Sequence, residues 1–259
     1  PWVQNVELPI VEEFNPADNT FYQPNAVVPD FGFFGGVAGA IGGAVVSARG
    51  ASSGVDGVID AYDIASNAWT KKAANPTPQY YATGGVHEGQ LIVSGGVDSA
   101  QAPVGTTSAY DLATDTWSSL AANPTKAYLS AGAVTGGKLY VFGGDTSWSS
   151  SKPTSDLQVL DIAANTWTKK ASLPFAMYAA VAVAHEGKIY IAGGLKNENI
   201  SKKGSWNYSL LVYDTATDTY DTSKAAMPFP QAHAAAATYG GYVFVYGGQT
   251  FRKSDGSDY

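Results

Sequence analysis

Short apolar runs bounded by glycine recur along this chain and read as β-strands. Leu91-Ile92-Val93 and Val141-Phe142 are such runs, made of residues that suit a pleated, half-buried surface. Residues 84–96 (GGVHEGQLIVSGG), 132–144 (GAVTGGKLYVFGG), 182–194 (AVAHEGKIYIAGG) and 236–248 (AATYGGYVFVYGG) share one pattern: short strand, tight Gly-bearing turn, strand, Gly-Gly. A weaker copy lies at 37–50 (VAGAIGGAVVSARG), where Arg49 replaces the first glycine of the pair. Each copy predicts a β-hairpin.

A second pattern alternates with the first. Residues 14–21 (FNPADNTF), 62–69 (YDIASNAW), 110–117 (YDLATDTW), 160–167 (LDIAANTW) and 213–220 (YDTATDTY) align as one eight-residue unit. The closing aromatics Phe21, Trp69, Trp117, Trp167 and Tyr220 are spaced 48, 48, 50 and 53 residues apart. The Asx-rich turns Ser66-Asn67, Thr114-Asp115, Ala164-Asn165 and Thr217-Asp218 bond their own backbone and reverse the chain, so this unit is a hairpin too. Two hairpins per period make a four-stranded antiparallel sheet.

A period near 50 residues with Gly-Gly, Tyr-Asp and a following Trp resembles the kelch repeat, one blade of a β-propeller. The resemblance covers nearly the whole chain. It implies a single all-β propeller over 1–259, with a half-blade at 1–30, repeats at about 31–77, 78–124, 125–174 and 175–229, and a half-blade at 230–259. The first half-blade is an outer hairpin and the last an inner one. Pairing them closes five four-stranded blades and removes an exposed sheet edge; the alternative is a piece of a six- or seven-bladed ring.

Composition and charge narrow the function classes. The 259 residues hold 29 Gly, 16 Tyr, 22 Asp+Glu, 15 Lys+Arg and no Cys. Arginine occurs only at 49 and 252, and the Lys pairs 71–72, 169–170 and 202–203 are scattered, so no basic patch for nucleic acid forms. Without cysteine there is no disulfide framework, no thiolate metal site, and none of the Cys–Tyr chemistry of the copper-radical oxidases that resemble kelch propellers. Residues 31–48 are uncharged and long enough for a membrane span, but six glycines and the repeat assign them to strands around the Gly42-Gly43 turn. The chain opens Pro1-Trp2-Val3, so any leader is expected to be removed or absent.

Two motifs are set aside. Residues 132–138 have phosphate-loop spacing, but Leu139 follows instead of Ser or Thr and a strand follows instead of a helix. Residues 50–54 match a nucleophile elbow, yet lead into a strand. His87 and His185 occupy the same turn two blades apart and do not form a joint metal site; no cofactor or metal is expected.

Candidate ligand contacts gather at one end of the ring. Phe34, Tyr80, Tyr128, Tyr178 and Ala232 form one column and Tyr81, Leu129, Ala179 and His233 the next, at the start of the innermost strands. The tyrosines offer stacking surface for a sugar or an aromatic side chain, against inter-blade packing as the competing reading. The loops after each Gly-Gly (97–108, 145–155, 195–207, 249–259) do not repeat, and Trp148 and Trp206 look exposed there. Asn199-Ile200-Ser201 and Asn207-Tyr208-Ser209 are glycosylation acceptor patterns in one loop, which points to a secreted or cell-surface protein.

Three functions follow as expectations. The first is a noncatalytic extracellular module binding protein or glycan through the loops and the channel mouth. The second is a sugar-active enzyme of the kelch mutarotase type, with Arg49, His233 and the tyrosine column lining the channel. The third is a structural subunit of an extracellular assembly.

Overall fold

The computed structural model describes residues 13–15, 17–18, 20–22, 35–48, 50, 57–196 and 203–250. Strands follow in chain order: β1 (Glu13–Asn15), β2 (Thr20–Tyr22), β3 (Val37–Ile41), β4 (Ala44–Ala48), β5 (Ile59–Asp63), β6 (Ala68–Lys72), β7 (Thr83–His87), β8 (Gln90–Ser94), β9 (Thr107–Asp111) and β10 (Thr116–Leu120). They continue as β11 (Ala131–Thr135), β12 (Lys138–Phe142), β13 (Leu157–Asp161), β14 (Thr166–Lys170), β15 (Val181–His185), β16 (Lys188–Ala192), β17 (Leu210–Asp214), β18 (Thr219–Asp221), β19 (Ala235–Tyr239) and β20 (Tyr242–Tyr246). One 3₁₀ turn, Lys203–Ser205, precedes β17.

Strands β3 to β6, β7 to β10, β11 to β14 and β15 to β18 form four antiparallel four-stranded sheets, each paired in sequence order. Two-stranded sheets β1–β2 and β19–β20 precede and follow this series in the chain. The innermost strands β3, β7, β11, β15 and β19 are successive neighbours, so the sheets stand as propeller blades about a common axis. The uncharged stretch at 37–48 is the β3–β4 hairpin, and no helix among the described residues is long and apolar enough to cross a membrane.

Local chemistry explains the two kinds of hairpin. Inner hairpins turn through two left-handed residues, as at Glu88 (φ 45°) and Gly89 (φ 80°) or Gly136 and Gly137, the mirror-image turn whose twist matches the strands. Outer hairpins use the Tyr-Asp motif: Asp111 Oδ1 accepts the N–H groups of Ala113 and Thr114, and Asp214 Oδ1 those of Ala216 and Thr217. The turn's fourth residue, Asn67, Asp115, Asn165 or Asp218, is left-handed, a conformation that Asn and Asp tolerate.

Blades are joined by apolar faces and by a repeated polar grip. Side-chain alternation sends Leu91 toward Val46 and Ile59, and Ile92 toward Leu139 and Leu160. Phe142, Leu157, Ile189 and Leu211 fill the next interface. Each such side chain contributes roughly 1.5–3 kcal/mol by leaving water. At the blade periphery, Ala73 donates its N–H to Asp115 Oδ1 (2.8 Å) and accepts from Trp117 Nε1 (2.9 Å). Ala121 is held likewise by Asn165 (2.6 Å) and Trp167 (2.7 Å), and Ala171 by Asp218 (2.9 Å) and the Tyr220 hydroxyl (2.9 Å).

Candidate functional site

The starts of the innermost strands and the Gly-Gly ends of their partners lie at one mouth of the ring. Here Tyr80, Tyr128, Tyr178 and Ala232 each form a single bridge to the residue after Gly-Gly: Val97, Asp145, Leu195 and Gln249. The next residues, Tyr81, Leu129, Ala179 and His233, are all left-handed, with φ between 53° and 57°. That conformation costs a non-glycine residue roughly 1–2 kcal/mol. The cost is offset by a chain of bonds around the mouth: Leu129 N–H to Tyr81 O (2.9 Å), Ala179 N–H to Leu129 O (2.7 Å) and His233 N–H to Ala179 O (3.0 Å).

This backbone arc borders a cavity of about 520 Å³ lined by Gly35, Tyr81, Leu129, Ser130, Ala179, His233 and Gln249, among others. His233 is reachable by water but crowded by the channel wall. Partial desolvation holds its imidazole below the usual histidine range.

An aromatic wall stands beside the cavity. Asp145, fully buried, folds its loop by accepting from the N–H groups of Ser147 (2.9 Å) and Lys152 (2.7 Å) and from the Ser151 hydroxyl (2.5 Å). That fold lays the Trp148 ring against Tyr80, Tyr81 and Tyr128, with centroids 5.9, 6.2 and 5.3 Å away. Trp148 stays 38% exposed. Tyr81 belongs to both the aromatic wall and the cavity, so the two are continuous.

The structure redistributes the residues read from the sequence. Tyr81 and His233 face the cavity. Tyr80, Tyr128 and Tyr178 are buried at the bridges and form its packed surround. Burial, with Asp145 and neighbouring tyrosines adding, pushes the Tyr128 phenol up to about 12. Trp206 departs from expectation: it is 5% exposed, bridges Leu195 and packs with Tyr178 and Ala232, so it covers its own loop and is not a projecting contact.

Asn207 is a second correction. It is fully buried, its Nδ2 donates to Gly193 O (2.8 Å) and its Oδ1 accepts from Ser209 N–H (3.1 Å), so no glycan fits there. Arg49, Asn199 and Phe34 lie outside the described residues. Leu129, Ser130 and Gln249 also line the cavity. Leu129 was visible as the column mate of Tyr81 and Gln249 as the first residue of the loop at 249–259, but nothing local marks Ser130.

His87 and His185 close inner hairpins at the opposite end, each with its neighbouring Glu 3.8 Å away. Among the described residues no group of three or more His, Asp or Glu could hold a metal ion.

Comparison with known proteins agrees with this architecture. The family described as the KLHDC2/KLHL20/DRC7 Kelch-repeats domain matches residues 123–258, and the Kelch motif matches 80–124. A solved structure titled "Structure of YjhT" superposes with a TM-score of 0.77 at 16% identity, over 95% of this chain and 85% of that one. That likeness is one of fold. A search of curated proteins returns no match.

Proposed function

The chain belongs to the kelch-repeat family, and on that premise we propose that it is a noncatalytic interaction module whose ligand, protein or glycan, meets the channel mouth and the loops after Gly-Gly. One observation carries this reading: the half-exposed Trp148, braced by three tyrosines, adjoins an open cavity of about 520 Å³. A large aromatic with its back fixed and its face free loses little entropy on binding, which suits a recognition hot spot. Rings of this family serve most often as interaction scaffolds, which supports a protein ligand. Probing the purified chain against protein and glycan arrays identifies the ligand class. Trp148→Ala then weakens capture by about tenfold or more. Unchanged capture by that variant would sink the loop version.

A mutarotase-type activity has one feature in its favour, the His233 imidazole lining the cavity, where desolvation favours the uncharged form that can take a proton from a sugar hydroxyl. Following anomer exchange by NMR across a sugar panel tests it, and a rate no faster than buffer rejects it. With Asn207 engaged in the fold, an extracellular setting rests on Asn199 alone. Mass spectrometry of native protein, looking for a glycan at Asn199, tests that setting.

A further inference from the structure

The aromatic wall at the mouth carries a sign as well as a shape. Trp148 keeps part of its ring open to solvent while Tyr80, Tyr81 and Tyr128 brace it. The face of an aromatic ring is negative, and an indole attracts a cation more strongly than a phenol or a phenyl ring does. Such a face favours a positive ligand group.

Two carboxylates adjoin this wall. Tyr128 bridges Asp145, and Tyr80 bridges Val97, the residue before Asp98. Asp145 is fully buried, yet its donors, the N–H groups of Ser147 and Lys152 and the Ser151 hydroxyl, are all neutral. Asp98 is half-buried, and its Oδ1 accepts from the N–H groups of Ala100 (2.9 Å) and Ala102 (3.0 Å). Neither carboxylate forms an ion pair among the described residues, and Lys152 offers Asp145 only its backbone. Their charge is felt at the wall: burial and then neighbouring charges, Asp98 among them, hold the Tyr80 phenol above the usual tyrosine range, and Asp145 adds to burial in the same way at Tyr128. The adjoining cavity brings no compensating cation. No Lys or Arg is among the described residues that line it, and desolvation disfavours the charged form of His233. A carboxylate taken out of water without a counter-charge favours a cation brought near it, and the chain's net charge of -7 draws the same kind of partner from a distance.

We propose, resting on the reading of the mouth as a recognition surface, that the ligand is a protein segment presenting an arginine side chain, which stacks on Trp148 in the field of Asp98 and Asp145. Arginine suits the place better than lysine. Its guanidinium is planar and weakly hydrated, so it lies flat on an indole and gives up less water on the way in. A neutral glycan gains nothing from the carboxylates, and an acidic one is repelled.

The test follows the indole N–H signals of the full chain by ¹⁵N NMR, with Trp148 assigned by its loss in Trp148→Phe. The probes are acetyl-Gly-Arg-Gly-amide and its citrulline counterpart, which keeps the shape and removes the charge. The arginine peptide is expected to shift the Trp148 signal with a dissociation constant about fivefold or more below that of the citrulline peptide. Raising the salt to about 0.5 M shrinks that ratio, since the carboxylate field is screened. Asp98→Asn keeps the Oδ1 acceptor that folds the turn, removes the charge, and is expected to cut the ratio by about half. The remaining indole signals report whether that variant is folded; should they move, the salt series decides alone. Equal affinity of the two peptides at Trp148 overturns the arginine preference and leaves the recognition surface standing. A Trp148 signal that neither peptide moves also overturns it, and so does a ratio that salt leaves unchanged. Failure of the recognition reading itself is read separately, from array capture that survives Trp148→Ala.

Discussion

At the scale of single residues, glycines that look alike in the repeat have different duties. Gly144 has φ 103°, and a Cβ there would stand 2.2 Å from Ser130 Oγ and 3.0 Å from Tyr128 O. Gly137, in an exposed hairpin turn at φ 71°, meets nothing closer than 4.0 Å. Gly144→Ala is therefore expected to cost about 2 kcal/mol or more and Gly137→Ala about 1 kcal/mol, read from urea unfolding midpoints. The turn aspartates set the acid limit. Hydrogen bonds, from Lys188 first and then from turn N–H groups, hold the Asp214 carboxyl down at about 2, and those from Thr114 and Ala113 lower that of Asp111. A depressed carboxylate stabilises the fold above its unfolded value near 4, and that contribution disappears as pH falls through the folded value. Stability should thus drop between about pH 4 and 2, and Asp214→Asn should flatten that limb of a urea-midpoint titration. The turn role of these aspartates was legible, because an Asx side chain acts on its own backbone. The burial of Trp206 and Asn207 was not, because it depends on Leu195, Tyr178 and Gly193, which only the folded loop brings near.

At the scale of elements, the period-2 apolar runs and Gly-bearing turns were enough to locate the hairpins. The grip between blades escaped that reading. Trp117 was read as the closing residue of a strand motif, whereas its Nε1 holds a carbonyl 44 residues away. Local pattern cannot show this, since the partner is a backbone atom with no sequence signature. Trp117→Phe keeps an aromatic ring against Tyr110 and removes the donor to the Ala73 carbonyl. The expected loss is about 1 kcal/mol in chemical denaturation, and a neutral result would mean that packing alone joins these blades. The same blindness affects the mouth. The tyrosine column was offered both as platform and as packing, and the bridges that bury Tyr80, Tyr128 and Tyr178 divide the roles: these three support, while Tyr81, one residue on, reaches the cavity.

At the scale of the whole molecule, β19–β20 is a hairpin in the position of an inner blade half, and its register puts Tyr239, Tyr242, Phe244 and Tyr246 on one exposed face. β1–β2 has the register of the outer hairpins, with Phe14 opposite Phe21 as Tyr62 is opposite Trp69. Five-blade closure by these halves stays a proposal, consistent with both registers. Under it, residues 1–30 pair with the open strand edge of β20, and a chain lacking them should self-associate through that edge on size exclusion with light scattering. A stable monomer after that deletion counts against closure. By itself the sequence determined the blade: a 48- to 53-residue period of hairpins with glycine and Asx at the turns, because these are short-range consequences of backbone geometry. Only the tertiary structure decided which side of each blade meets its neighbour, which aromatics are support and which are surface, and where the cavity opens. Those depend on atoms more than 40 residues apart being brought within hydrogen-bond reach, and a repeat repeats its contacts only where its neighbours repeat as well.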